Sequence, residues 1–172
     1  MMSSPPHGTK TFPVGAWRLD PDASSIAVSV RAFMVSPITL TVDLQDGFVS
    51  VDDSGVVRQI RVTLKADSVR SGNLRRDRHA RGAGFLNSAD SPLITFSGRS
   101  QLDVIHGVVQ VQDHSTPLPL KATQASLTED GRAVFAAHGV VDRRLLGLGR
   151  LSALLIGREL DVSVRGIAHP VR

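Results

Sequence analysis

Apolar residues in this chain recur at every second position, in short runs broken by turn-forming clusters. Ile26, Val28 and Val30 alternate with Ala27, Ser29 and Arg31, and Ile60, Val62 and Leu64 alternate with Arg61, Thr63 and Lys65. Successive side chains of a strand point to opposite faces, so a period of two reads as a strand with one face buried. The runs lie at 24–33, 38–51, 56–66, 93–99, 101–105, 107–112, 117–127, 133–141 and 159–168, with 93–99 and 101–105 read as one bent strand. Gly47 marks a bulge or bend. Asp52-Asp53-Ser54-Gly55, Asp113-His114-Ser115 and Glu129-Asp130-Gly131 supply turns.

The stretch 73–86 breaks this rhythm. It carries Arg75, Arg76, Arg78 and Arg81 with glycines at 82 and 84, and it predicts a short helix and a loop. A second short helix is expected within 145–156. Residues 1–15, with three prolines and two glycines, predict a flexible lead-in to one domain over 16–172. No strand–helix–strand rhythm calls for a parallel sheet. The expected fold is all-β and antiparallel, with about eight strands and one or two short helices, as a sandwich or a closed barrel.

Composition removes several functions. There is no cysteine, hence no disulfide and no thiolate chemistry. No run of about 18 apolar residues is present, and the N-terminal stretch lacks a signal-peptide core, so a cytoplasmic location is expected. The charge of +4 is too small to name a partner, and one Trp, no Tyr and six Phe do not interleave with the basic residues, so no nucleic acid is expected. Nothing resembles a Gly-x-Ser-x-Gly elbow, and Gly147-Leu148-Gly149 has no phosphate-loop context. Asp52 and Asp53 share a turn, not a site. The histidines at 79, 106, 114, 138 and 169 form no His-x-His pair; only His106 and His114 stand where a turn could join them. No catalysis, no metal and no cofactor are expected.

The order of blocks resembles the YceI-like family. Residues 17–36, WRLDPDASSIAVSVRAFMVS, are similar to its first strand. The stretch 68–98 is similar to its signature, carried here by Ser68, Arg76, Asp77, His79, Arg81, Phe85, Pro92, Ile94, Thr95 and Phe96. Residues 107–120 and 141–148 resemble its later glycine-led and hydrophobic-x-Arg blocks, with Arg143 as the arginine. The chain departs from the pattern at Ala32, Leu40 and Leu146.

The resemblance implies a lipocalin-like antiparallel β-barrel, not an enzyme, that binds, sequesters or carries a polyprenyl or isoprenoid-quinone lipid. The tail would lie against Val28, Val30, Val62, Leu64, Phe85, Phe96, Val111, Leu118, Leu120, Phe135 and Val162, unless these side chains simply fill a solid barrel. A solid core would suit a structural or stress-related interaction protein instead. Arg76, Arg78 and His79 would meet a head group at the mouth. Alternatively, the cluster of arginines at 70, 75, 76, 78 and 81 is a solvated helix with Asp77 paired to a neighbour such as Arg81. Arg143 would anchor a loop through hydrogen bonds. Transient membrane-surface contact and a homodimer stay open.

Overall fold

The computed structural model describes residues 12–32, 36–149 and 156–172, without the side chains of Ala32 and Ile156. Its strands are β1 (Gly15–Leu19), β2 (Ser25–Ala32), β3 (Ile38–Val42), β4 (Leu44–Val51), β5 (Val57–Lys65), β6 (Leu93–Gln101), β7 (Val104–Val111), β8 (His114–Pro117), β9 (Leu120–Leu127), β10 (Ala133–Asp142) and β11 (Ile156–Pro170). The helix α1 spans Leu74–Arg81.

Several of these are halves of one interrupted strand. β1 and β2 lie end to end along β11: Trp17 pairs with Pro170 and Leu19 with Ala168, then Ile26 with Val164 and Val30 with Leu160. β3 and β4 follow one another beside them, and β8 and β9 both pair with β7. The order then runs as an up-and-down meander from β1/β2 through to β11, and the β1–β11 pairing closes eight strands into an antiparallel barrel. Where β3 and β5 diverge, the segment 66–70 fills the wall. Thr41 and Arg70 exchange backbone bonds of 2.9 and 3.1 Å, and the Asp43 N–H donates to Ser68 Oγ at 2.8 Å.

The meander separates two ends. Short turns at 52–56, 102–103 and 128–132 share one end with both ends of the described chain. At the other end lie α1 with its loop, the β7–β8 turn, the end of β2, the start of β3 and the 3-10 turn at Arg143–Leu146.

Inside the ring, glycines decide how closely the walls approach. A Cβ on Gly98 would sit 2.7 Å from the carbonyl oxygen of His106, so β6 and β7 can bend together only without one. The Phe96 ring lies flat over its neighbour Gly107, and Leu19 fills the gap between Gly47 and Gly166.

The structure corrects some sequence expectations. The bent strand over 93–105 is two strands, parted by a turn at Leu102, whose φ of 56° is left-handed. The expected turn at 113–115 falls one residue earlier, and His114 opens β8. Of the lead-in, residues 1–11 lie outside the described residues. Phe12 is buried, its N–H donates to the Gly55 carbonyl at 3.1 Å, and its ring stands 6.3 Å from that of Phe135. The expected helix over 145–156 is represented by a 3-10 turn at Arg143–Leu146, and 150–155 lie outside the described residues.

Gly98→Ala should cost about 1–3 kcal/mol of stability, read as a lower urea midpoint, because the added methyl meets backbone that cannot rotate away. A midpoint equal to the parent's would mean that the two strands slide apart without cost.

Candidate functional site

The barrel encloses a cavity of about 200 Å³. Its wall is hydrocarbon from end to end. Near the short turns it begins at Phe12, Leu19, Val57 and Ile105, and at the helical end it finishes at Val69, Leu86, Leu146 and Leu148. Among the described residues, Gln124 is the sole polar residue of the wall; it is exposed and donates to Ser126 Oγ at 3.2 Å. It sits where β9 carries a bulge, with one extra residue at Thr123 against Ala136 and Ala137 of β10.

Burial along the inward faces shows that the barrel is not packed solid. Val28, Val62, Leu64, Ile94, Phe96, Phe135, Ala137 and Val164 point inward, yet all remain only half-buried. Their outward neighbours are residues such as Arg61, Thr63 and Thr95, so the pleat leaves the cavity as the space they face. Inward residues of a filled barrel would be covered by one another.

The expected liners distribute plainly. Val28, Val62, Leu64, Phe96, Val111, Leu118, Leu120, Phe135 and Val162 all stand on the cavity wall. Val30 points inward but is buried among its neighbours, and Phe85 lies in the loop after α1, close to Gly149; neither is on the wall. Sequence reasoning missed Leu19, Leu86, Leu146 and Leu148. Leu146 and Leu148 stand two apart around Gly147, a spacing that reads as turn rather than wall.

Polar side chains hold the helical end together by gripping backbone. Arg143 is 2% exposed, and its guanidinium donates to the carbonyls of Gly157, Leu148 and Gly149 at 2.8, 2.9 and 3.1 Å. That ties the β10–β11 connection to the start of β11 and keeps Leu146 and Leu148 over the cavity. Gln112 Nε2 donates to the Phe85 carbonyl at 2.7 Å, which fixes the loop carrying Leu86.

α1 starts at Asn73, whose side chain accepts the Arg76 N–H at 3.0 Å. Its buried side is Asp77 and Ala80. Asp77 does not pair directly with Arg81. Its carboxylate accepts the Ser71 hydroxyl at 2.7 Å and the Ser71 N–H at 2.8 Å, while Arg81 Nε donates to the Val69 carbonyl. The Ser71 hydroxyl bond, reinforced by the Ser71 N–H and the charges of Arg81 and Arg76, holds Asp77 below the usual carboxylate range despite burial. Arg76, Arg78 and His79 are exposed and none reaches the cavity wall. His106 faces out opposite Arg99, and the His114 ring packs on Gly147, so the two are not brought together.

The YceI-like domain family matches residues 17–168. The chain belongs to that family. BcnA of Burkholderia cenocepacia has a similar fold, with a TM-score of 0.69 at 14% identity over 88% of this chain and 99% of that one. A polyisoprenoid binding domain from Saccharophagus degradans, implicated in plant cell wall breakdown, scores 0.68 at 14% identity over 92% and 100%. The Campylobacter jejuni YCEI protein scores 0.65 at 16% identity over 83% and 90%. No curated protein matches the chain. This YceI-like chain shares with those three an architecture. Among the described residues, no helix is long and apolar enough to cross a membrane.

Asp77 gives the helical end an acid sensitivity. Its folded pKa lies below the ordinary 3.8, so its contribution is present above that value and is lost as pH falls through the folded pKa. Thermal melts from about pH 5 to about pH 3 should fall less steeply for Asp77→Asn than for the parent. Parallel curves would mean that Ser71 binds neutral and charged Asp77 alike.

Proposed function

We propose that this YceI-like barrel is a non-enzymatic carrier that binds or sequesters an apolar lipid of isoprenoid type, a polyprenyl or isoprenoid-quinone chain. The observation that carries this reading is the row of inward, half-buried apolar side chains around a cavity with hydrocarbon walls. The Saccharophagus degradans domain, of the same architecture, is a polyisoprenoid binding domain.

The mechanism is solvent replacement. Each Å² of apolar surface taken from water contributes about 25 cal/mol, before the losses of association are subtracted. The wall offers almost no hydrogen-bonding group, so a carbonyl or phosphate drawn inside would leave its acceptors unmet at a cost of several kcal/mol. Selection therefore falls on the tail, and the polar head stays outside. Phe12, packed against Phe135, stoppers the end with the short turns. Entry is by the helical end, where irregular segments held by few bonds open more readily than paired strands. There Arg76, Arg78 and His79 meet the head.

Val62→Trp tests the reading. Val62 is half-buried on β5 with the cavity before it, so an indole there takes up the space a chain would occupy. Native mass spectrometry of the parent, followed by solvent extraction, should release a hydrophobic adduct of isoprenoid mass; the variant should be folded and empty. Equal retention by parent and variant would count against a central tunnel, and a parent free of lipid from a host rich in isoprenoids would count against the carrier.

A further inference from the structure

α1 turns toward solvent a face that does not touch the cavity wall. With Asp77 and Ala80 buried beneath the helix, the helical period puts Arg75, Arg78 and His79 on the far side, and Leu74, three residues before Asp77, at the flank of the exposed face. Leu74 is 77% exposed. Several other arginines are neutralised locally: Arg18, Arg58, Arg70 and Arg132 pair with Asp46, Asp52, Asp43 and Asp130. Among the described residues, Arg75 and Arg78 form no ion pair with a carboxylate, and Arg76 acts on Asp77 through its charge alone. The single acid of the helix, Asp77, is turned inward and bound by Ser71.

A second exposed leucine belongs to the same end. Leu145, on the 3-10 turn after β10, is 57% exposed beside Arg144. The two segments meet close by: a Cβ on Gly149 would sit 3.2 Å from the Phe85 ring, in the loop that follows α1. This end of the barrel thus combines unpaired arginines with protruding leucines. The chemistry fits an anionic bilayer surface, where guanidinium groups bind lipid phosphates and leucines enter the boundary between head groups and acyl chains. Single-stranded RNA is the lesser fit, since bases want large aromatic stacking partners and α1 offers only the His79 ring.

We infer that the outward face of α1, with Arg75 at its centre and Leu74 at its flank, docks the helical end of the barrel onto membranes rich in anionic lipid. Docking does not require that the barrel hold a lipid, so the two are separable by experiment.

The test is flotation with vesicles of phosphatidylcholine alone and of phosphatidylcholine with phosphatidylglycerol. The parent should float with the mixed vesicles and not with phosphatidylcholine, and salt should release it. Arg75→Gln should lower partition about fivefold, the effect of one basic residue near such a surface. Leu74→Ser should lower it in addition, and both side chains are exposed, so melting temperature should not move. Arg58→Gln, at the opposite end, removes the same charge and should leave partition unchanged. The inference is overturned if the parent ignores phosphatidylglycerol, if Arg58→Gln weakens flotation as much as Arg75→Gln, or if RNA oligonucleotide binds at the same salt and is lost with Arg75. Lipid extracted from the same samples reads the carrier function independently: a full barrel that does not float sinks docking alone, and an empty one that floats sinks the carrier alone.

Discussion

Closure of the ring falls to β11, and the cavity depends on it. One edge of this strand pairs with β2 along its first half and with β1 at its last residues, while the other edge pairs with β10 along nearly its whole length. A sheet of eight strands closed on itself has a set circumference, and with it a set interior. What the interior then holds is decided by side-chain volume alone. Inward positions of β9, β10 and β11 include Ala122, Ala137, Gly139 and Gly166, and those of β6 and β7 include Gly98 and Gly107. The ring cannot shrink to match such small residues, because every wall hydrogen bond would have to lengthen or shift register.

An unfilled apolar space is a burden on the fold. At about 24 cal/mol per Å³, a cavity of about 200 Å³ costs at most about 5 kcal/mol if it is dry. That is a large share of the margin by which a domain of this size is stable. A hydrocarbon chain inside would recover dispersion contacts along the whole wall, so a filled barrel would resist unfolding better than an empty one. Retention of cargo and stability of the fold are then the same contacts counted twice.

Much of this was legible in the residues, and the limits have physical causes. Strand faces were readable where alternation was strict: Val62 and Leu64 on β5 lie inward as their period requires. Breaks inside a strand were not. β9 gains a residue near Thr123, and neither Ala-Thr-Gln nor its flanks carry glycine or proline to announce it. Leu102 takes a left-handed φ that nothing in its side chain favours, so the turn between β6 and β7 read as continuous strand. Phe12 sits in a proline- and glycine-rich stretch that predicts a flexible lead-in, but a large ring finds a partner in Phe135 more than a hundred residues away. The cavity itself could not be read, since alternation says which way a side chain points and not whether something stands opposite it.

The two ends of the barrel are built on different terms. At one end short turns join paired strands, and Phe12 closes the space with an aromatic contact. At the other, irregular segments are held over the cavity by polar side chains bound to backbone: Arg143 to the Gly157, Leu148 and Gly149 carbonyls, Gln112 to that of Phe85, and Asp77 to Ser71. Such bonds are directional and can break one segment at a time, with water taking each freed group. An apolar plug bonded into the sheet could not yield without unzipping a strand. The leucines at this end, Leu86, Leu146 and Leu148, reach the cavity only through the segments these bonds secure. The polar residues therefore hold the apolar lining of this end in place, although none of them touches the cavity wall.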